Sequence, residues 1–315
     1  MKKRFTTADL FAGVGGIRLG FERAGFETVF ANDFDKSCKI TYDLNFCSPK
    51  LHHQDINELD IKSIPKFDIL LGGFPCQAFS IAGYQKGFKD EKGRGNLFFR
   101  IADILQERKP QAILLENVKN LKGHDNGKTY KIIKDTLESI GYNIKTKILN
   151  SMEHGNVPQN RERIFIVGFL DKTKTDKFEF PNEVKLKRSF RDLTANEVDD
   201  KYYYNDKPLY ERIKDDINSV DTVYQWRRKY VRANKKGVVP TLTANMGRGG
   251  HNVPIIRNSK GIRKLTPKEC FMVQGFPDRF RLPENLSDSE LYHQAGNSVT
   301  VPVIQRIAEN ILKVL

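Results

Sequence analysis

Apolar positions in the first 170 residues follow two alternating patterns. Short apolar runs, typical of buried strands, alternate with apolar residues spaced three and four apart, which are typical of helices that cover a sheet. The pattern predicts strands at residues 6–11, 27–32, 67–72, 111–116, 143–149 and 163–169. It predicts helices at residues 17–24 and 35–45 and around the spaced apolar positions of 97–105 and 132–140. This alternation indicates an α/β domain with a mostly parallel sheet.

The pattern changes after Leu170, where lysine, tyrosine and proline become frequent. We expect a second, smaller, strand-poor and loop-rich domain over residues 171–282. An apolar stripe at helical spacing returns near the end of the chain, at Val303, Ile304, Ile307, Ile311 and Leu312. This last helix is expected to pack back on the first sheet, which brings residues 296–298 near the N-terminal glycines. The large domain is therefore predicted to comprise residues 1–170 and 283–315.

Composition narrows the class of protein. The chain has 315 residues with 39% hydrophobic content, enough for a sizeable core. Its apolar runs are much shorter than the ~20 residues of a membrane span, and no signal peptide is predicted, so we expect a soluble, cytoplasmic protein. The four cysteines have no paired spacing, so neither a metal site nor a disulfide framework is expected.

Charge points to a polyanionic partner. The formal net charge is +14, and residues 222–268 contain twelve lysines and arginines but no acidic residue. A solvated loop region is the ordinary explanation of such a stretch. The exclusion of every acid over that length favours a surface that follows a phosphate backbone.

A nucleoside site is predicted from two strand ends. Residues 9–16 read as a strand that enters a glycine turn, with Gly13, Gly15 and Gly16, and then a helix. Asp33 ends the next strand about twenty residues later, where a carboxylate accepts hydrogen bonds from ribose hydroxyls, and Phe34 could lie against an adenine. The alternative makes Asp33 or Asp35 a helix N-cap and Phe34 a core residue.

The candidate reacting centre pairs a thiol with a carboxylate. Cys76 follows one apolar strand and Glu116 ends another. Cytosine C5 is too weakly nucleophilic to accept a methyl group unaided, but addition of a thiolate at C6 activates it. An acid near N3 would then stabilise the charge that develops on the ring. A buried structural cysteine and an ion-paired or helix-capping acid are the alternatives.

Two arginines, Arg161 and Arg163, precede the strand predicted at 163–169. They could clamp the carbonyl of the base or hold the acid in place. An ordinary surface run is the alternative, and the residues alone leave both open.

Seven blocks of the sequence together resemble the C5-cytosine DNA methyltransferases of bacterial restriction-modification systems. The resemblance runs nearly end to end in the usual order of that family, over residues 9–16, 32–35, 73–77, 116–118, 159–163, 263–277 and 294–299. It implies a Rossmann-like, S-adenosylmethionine-dependent methyltransferase domain and a target-recognition domain. It also implies a cytosine flipped out of double-stranded DNA, with S-adenosylhomocysteine as product.

The resemblance assigns roles to individual residues. Cys76 would be the nucleophile, Glu116 would contact N3 and the amino group, and Arg161 and Arg163 would support the base. Besides the glycine turn, the cofactor pocket would be lined by Phe11, Asp33, Phe34, Asp55, Ile56, Gly73, Pro75, Leu97, Asn297, Ser298 and Val299. A loop over residues 78–96 would close over DNA, and DNA contacts are expected at Gln77, Ser80, Arg227, Arg228, Thr241, Leu242, Arg248 and Gly249.

Other functions share part of this pattern. A tRNA methyltransferase could use the same chemistry, and a silent DNA-binding protein could keep the fold. A Rossmann oxidoreductase is disfavoured because Arg18 stands where the dinucleotide motif requires its third glycine. The favoured reading is a monomeric, site-specific DNA methyltransferase that protects host DNA from a cognate restriction endonuclease.

Overall fold

The computed structural model describes residues 4–75, 97–234, 237–247 and 253–315. The chain divides into two compact units. The first comprises Met1–Leu149, Glu162–Pro181 and Ile304–Leu315, and the second comprises Asn150–Arg161 and Asn182–Val303. The functional division predicted at residues 171 and 283 stays a prediction.

The described residues form thirteen strands and ten α-helices. The strands are β1 (Thr6–Leu10), β2 (Glu27–Asp33), β3 (His52–His53), β4 (Ile69–Gly72), β5 (Ala112–Val118), β6 (Asn143–Asn150), β7 (Gln159–Asn160), β8 (Glu162–Phe169), β9 (Tyr224–Trp226), β10 (Val231–Ala233), β11 (Val239–Pro240), β12 (Ile255–Asn258) and β13 (Gly261–Lys264). The helices are α1 (Gly16–Arg23), α2 (Lys36–Asn45), α3 (Leu97–Arg108), α4 (Lys128–Ile140), α5 (Ser151–His154), α6 (Lys172–Lys177), α7 (Tyr210–Ile213), α8 (Pro267–Val273), α9 (Asp288–Asn297) and α10 (Val301–Val314).

The first unit is built on a seven-stranded sheet with the order β3-β2-β1-β4-β5-β8-β6. Strands β3, β2, β1, β4 and β5 pair in parallel, and β8 pairs antiparallel with β5. The predicted α/β class with a mostly parallel sheet is confirmed. All four residues of β4 are buried, as expected for a central strand covered on both faces.

The last helix, α10, contributes its residues 304–315 to the first unit. Ile304 packs against Gly20 of α1 so closely that a Cβ on the glycine would lie 2.6 Å from Ile304 Cγ2. Only a glycine fits at this crossing of two helices, which explains a glycine in the interior of α1.

The second unit contains a four-stranded sheet with the order β10-β9-β12-β13 and a small core around Ile213, Trp226 and Ile255. The sequence pattern missed this sheet, because its strands have only three or four residues and leave little alternation to detect. In the described ranges no helix meets the length and apolarity that a membrane span needs. The same ranges contain no cluster of three potential metal ligands.

Candidate functional site

The candidate site of the first unit lies at the carboxyl ends of four neighbouring strands. Leu10 of β1 pairs with Asn32 of β2 on one side and with Gly72 of β4 on the other. Gly72 in turn pairs with Leu115 of β5. The residues that follow these four therefore emerge at one edge of the sheet, which is where open α/β sheets bind ligands.

Asp33 is the acidic residue of this edge. Its Oδ2 accepts a hydrogen bond from Gly13 N at 2.8 Å, and its Oδ1 accepts one from Asp35 N at 2.9 Å. Burial raises the pKa of the Asp33 carboxyl, and these backbone hydrogen bonds oppose the shift. The carboxylate is thus fixed beside the glycine turn and keeps lone pairs for hydroxyl donors.

The alternative roles of this acidic cluster are resolved by the geometry. Asp35, and not Asp33, is the N-cap of α2, since its side chain accepts from the backbone of Ser37 and Cys38. Phe34 is 69% exposed, so it is not a core residue. Its carbonyl oxygen contacts His53 Nε2 at 2.9 Å, which holds the backbone of Phe34 beside Asp33.

The glycine turn contains left-handed backbone at three positions, and its glycines differ in the space around them. Phe11, Gly13 and Gly15 all have positive φ, at 55°, 53° and 83°. A Cβ at Gly15 would lie 2.3 Å from the Phe46 ring, so Gly15 is needed for packing. A Cβ at Gly13 would meet no described atom within 4 Å, so open space adjoins the Asp33 carboxylate.

Arg18 explains why the turn needs no third glycine. Its side chain is buried and donates to Tyr42 Oη at 2.8 Å and to the carbonyls of Ser48 at 2.6 Å and Pro49 at 2.9 Å. Its guanidinium also lies 4.3 Å from the centre of the Phe46 ring. The arginine therefore fixes the segment behind the turn instead of approaching a dinucleotide.

These features fit a nucleoside cofactor. A half-buried acceptor at Asp33, an open backbone position at Gly13 and an exposed aromatic ring at Phe34 are the groups that ribose hydroxyls and an adenine require. Asp55 is also exposed, although its Oδ1 accepts from Asn57 N at 2.9 Å, and Ile56 belongs to the hydrophobic core.

Glu116 and Arg163 form an ion pair in the sheet. Val118 of β5 pairs with Arg163 of β8, and Glu116 lies two residues earlier on the same face. The distance between Arg163 Nε and Glu116 Oε1 is 3.1 Å, and both side chains are largely buried. Burial lowers the pKa of the Arg163 guanidinium, and the neighbouring carboxylate opposes that change.

The residues just before the predicted nucleophile, Cys76, are fixed to strand β5. Asn117 Nδ2 donates to the Phe74 carbonyl at 2.9 Å, and a Cβ at Gly73 would lie 3.7 Å from Glu116 Oε2. Pro75 is exposed and is the last described residue before the gap. Cys76, Gln77 and Ser80 lie outside the described residues. The described chain resumes at Leu97, the first residue of α3.

Arg161 belongs to the second unit and contacts a different set of groups. Its guanidinium donates to the carbonyls of Leu242 at 2.7 Å, Gly296 at 3.2 Å and Ser298 at 2.6 Å. The two arginines, which the sequence treated as a pair, therefore contact different groups. Asn297 is exposed and its Nδ2 lies 3.1 Å from His293 Nε2, while Val299 is buried.

The predicted DNA-contacting residues occupy two places in the second unit. Arg227 and Arg228 are exposed at the tip of the β9–β10 hairpin, where Arg228 has a φ of 65°. Thr241 is half-buried and donates to the Asn160 carbonyl at 2.7 Å. The Leu242 side chain is buried in the core of this unit. Arg248 and Gly249 lie outside the described residues.

Several positioning residues were not predicted. The Asn117 side chain and the His53 ring hold backbone segments of the first unit, and the buried Gln159 and Gln274 hold segments of the second unit. Asn117, Gln159 and Gln274 lie inside the sequence blocks that carry the family resemblance, but residue type alone gives no partner. The signal that could have found them is a polar residue within an otherwise apolar element.

Comparison with known proteins gives a consistent family. The family model for C-5 cytosine-specific DNA methylases matches residues 5–313. Type II methyltransferase M.Bsp6I of Bacillus sp. (strain RFL6) is 55% identical over 311 residues, which cover 97% of this chain and 98% of that protein. Type II methyltransferase M.HhaI of Haemophilus parahaemolyticus is 39% identical over 321 residues, which cover 96% of this chain and 93% of that protein.

Among solved structures, the S. pombe Dnmt2 methyltransferase superposes with a TM-score of 0.75 at 20% identity. The match covers 98% of this chain and 99% of that one. At this identity the likeness establishes the fold alone.

Proposed function

The chain belongs to the C-5 cytosine-specific DNA methylase family and is a DNA (cytosine-5-)-methyltransferase, and we propose that it acts through a covalent bond between Cys76 and cytosine C6. Methyltransferases of this family use S-adenosylmethionine in general, and the Asp33 edge of the sheet fits its nucleoside portion. When bound there, this cofactor supplies an electrophilic methyl group.

The residues of the chain supply the rest of the chemistry. The Cys76 thiolate forms a bond to C6 of a cytosine flipped out of double-stranded DNA, which makes C5 nucleophilic. Glu116 donates a proton to N3 as negative charge develops on the ring, and Arg163 holds the carboxyl in position. After methylation, a water molecule or hydroxide that reaches the ring takes the C5 proton, and the electrons of that C–H bond expel the Cys76 thiolate from C6. The proton on N3 returns to the Glu116 carboxylate, so that the aromatic ring and the acid are both restored.

One observation carries this proposal. The buried acid Glu116 is held by Arg163, and the next residue of β5, Asn117, fixes the chain just before position 76. The hydrogen bond from Asn117 Nδ2 to the Phe74 carbonyl ties the segment of the nucleophile to the strand of the acid. The described chain up to Pro75 and the acid are thereby tied to neighbouring strands of the sheet, which supports a shared reacting centre.

The test uses a duplex that contains 5-fluorocytosine, because fluorine at C5 blocks the final loss of a proton. We expect the wild-type protein to form a covalent adduct with this duplex in the presence of S-adenosylmethionine. Cys76→Ser should form none, whereas Cys47→Ser, which alters an exposed cysteine, should behave as wild type. An adduct in Cys76→Ser would refute the assignment. Methyl incorporation into tRNA, measured in parallel, tests the RNA-directed alternative.

The names of the relatives support a proposal for the biological role. Because the similar proteins are named type II methyltransferases, we propose that methylation protects the host DNA from a cognate restriction endonuclease. We further propose that the chain works as a cytoplasmic monomer in which residues 1–170 and 283–315 bind the cofactor and residues 171–282 recognise DNA. Bisulfite sequencing of DNA from expressing cells should reveal one methylated sequence, and that DNA should resist the endonuclease.

A further inference from the structure

A buried polar cluster in the second unit is centred on Arg161. The arginine is 2% exposed and directs its guanidinium at three carbonyl oxygens from two separate chain segments. One segment contains Leu242 and the other contains Gly296 and Ser298. A buried cation is unfavourable unless its N–H donors are satisfied. These three hydrogen bonds therefore hold the Arg161 side chain in one defined position.

Two buried glutamines extend the cluster between the same segments. Gln159 Oε1 accepts from Leu242 N at 3.2 Å, and its Nε2 donates to Gln274 Oε1 at 3.0 Å. Gln274 Nε2 donates to the Ala295 carbonyl at 2.9 Å. Thr300 Oγ1 also donates to Gln274 Oε1, at 3.2 Å. A continuous chain of hydrogen bonds therefore links residue 242 to residues 295–300.

Direct packing also holds these segments together. A Cβ at Gly296 would lie 2.1 Å from the Thr243 carbonyl oxygen, so the two backbones are in close contact. His293 Nδ1 contacts the Ala244 carbonyl at 2.8 Å. No side chain separates the backbones at Gly296 and Thr243. The hydrogen bonds around them therefore set the relative position of the two segments.

We propose that Arg161 is a positioning residue that holds the DNA-contacting segment at Thr241–Leu242 and the cofactor segment at Asn297–Val299 in one fixed arrangement. This inference rests on the proposed function, which assigns those two segments to DNA and to S-adenosylmethionine. Arg161 then contacts neither the base nor the cofactor. Its loss would weaken binding at both sites together, because both segments would lose the same anchor.

Lysine cannot replace arginine in this role. The planar guanidinium offers five donors in a fixed fork and can reach several carbonyls at once, whereas an ammonium group is a single point of contact. Arg161→Lys keeps the charge and most of the volume but abandons at least one of the three carbonyls. The substitution therefore tests the geometry of the side chain and leaves its charge intact.

The experiment measures two dissociation constants separately for the full-length protein. Calorimetry gives the Kd for S-adenosylhomocysteine without DNA, and fluorescence anisotropy gives the Kd for the cognate duplex without cofactor. Losing the charged link between the two segments should raise both constants about tenfold in Arg161→Lys.

The matched control is Arg263→Lys. Arg263 is an equally buried arginine of the same unit, and it donates to both carboxylate oxygens of Glu269 at 2.8 and 2.9 Å and to the Ala195 carbonyl at 2.8 Å. We expect this variant to lower the unfolding temperature but to leave both dissociation constants within about twofold of wild type. If it raised both as much as Arg161→Lys does, a general loss of stability would explain the result and the inference would be wrong.

Other outcomes are equally decisive. An Arg161→Lys protein that keeps either Kd within about twofold of wild type overturns the inference alone. A wild-type protein that binds neither ligand overturns the proposed function as well. If Arg161→Lys fails to fold, Thr300→Val removes one hydroxyl from the same cluster without changing its shape. Both constants should then rise about threefold, and unchanged constants would contradict the inference.

Discussion

Arg163 Nε lies 3.1 Å from Glu116 Oε1 across an antiparallel strand pair in an otherwise mostly parallel sheet. The reversed strand β8 is what makes this contact possible. Its first residues run beside the last residues of β5, so an arginine at the start of one strand meets an acid at the end of the other. A parallel strand would have put that arginine at the opposite edge of the sheet.

Glu116→Gln should reduce the rate constant for methyl transfer at saturating substrates by about a hundredfold or more, because the amide cannot donate an acidic proton to the ring. The fold should be retained, since glutamine has the same shape and keeps a polar oxygen beside Arg163. Incorporation of radiolabelled methyl groups into duplex DNA measures the rate.

Glu162→Gln is the matched control for this change. Glu162 lies in the same strand as Arg163, and its partly exposed side chain pairs with Lys119. Exposed pairs of this kind contribute little to stability, so the rate should stay close to wild type. A Glu116→Gln enzyme as fast as this control would exclude Glu116 as the proton donor.

Phe34→Ala and Asp33→Asn should each raise the Kd for S-adenosylhomocysteine by about tenfold or more, because one loses a stacking face and the other a charged acceptor for hydroxyl groups. Calorimetry without DNA measures this directly. Asp60→Asn changes an exposed acid that only caps a short turn, and it should bind as wild type does. Unchanged binding in both test variants would exclude this edge as the nucleoside site.

The sequence predicted the strands and helices of the first unit closely, because long apolar runs and helical spacing report burial directly. Its assignment of Asp33 and Phe34 to a nucleoside site stays a prediction, and it could not separate the acid that caps α2 from the acid that binds the glycine turn. That distinction depends on which backbone N–H groups each carboxylate reaches, and such contacts follow from the backbone path of the folded chain.

The division of roles between Arg161 and Arg163 was similarly beyond the sequence. The sequence predicts only that these neighbouring arginines of one short motif clamp the base or hold the acid. The structure directs Arg163 to Glu116 and Arg161 to carbonyl oxygens of the second unit. Residues two apart in an extended strand share a face, but here β7 ends at Asn160 and β8 begins at Glu162, so the chain between them does not continue as one strand.

Replacing Arg227 and Arg228 together by alanine should weaken binding to DNA of any sequence and reduce its dependence on salt. The hairpin tip carries these two arginines beside Lys229 and Tyr230, and all four side chains are exposed. If both arginines contact phosphates, the slope of log K against log salt should fall by about 1.8, or 0.9 per contact. Anisotropy at several salt concentrations measures the slope.

Lys131→Ala is the control for charge alone. Lys131 is an exposed residue of α4 in the first unit and pairs with Asp135. This substitution should leave the slope unchanged. A double-arginine variant with the wild-type slope would mean that the hairpin tip does not touch the DNA backbone. A loss confined to one DNA sequence would instead indicate contacts with base edges.

Asp9 should make the stability of the protein depend on pH. The carboxyl is completely buried in β1; its Oδ2 accepts from Arg18 N at 3.2 Å, and its Oδ1 has no hydrogen-bond partner among the described residues. Burial raises its pKa from 3.8 to about 7, against the opposing effect of Arg18. Between these values the folded protein holds a proton that the unfolded chain has released.

The sign of the effect follows from that proton. Stability contributed by Asp9 is greatest below about pH 4 and is lost as the pH rises to about 7, because the folded state must then either keep the proton or bury a charge. Asp9→Asn is neutral at every pH and escapes this loss. Between pH 5 and pH 8 its unfolding temperature should therefore rise relative to wild type by on the order of 5 °C. Thermal unfolding of both proteins at several pH values measures the difference between their unfolding temperatures. Asp60→Asn is the exposed control. A difference that stays constant with pH would show that Asp9 is ionised in the folded protein throughout this range.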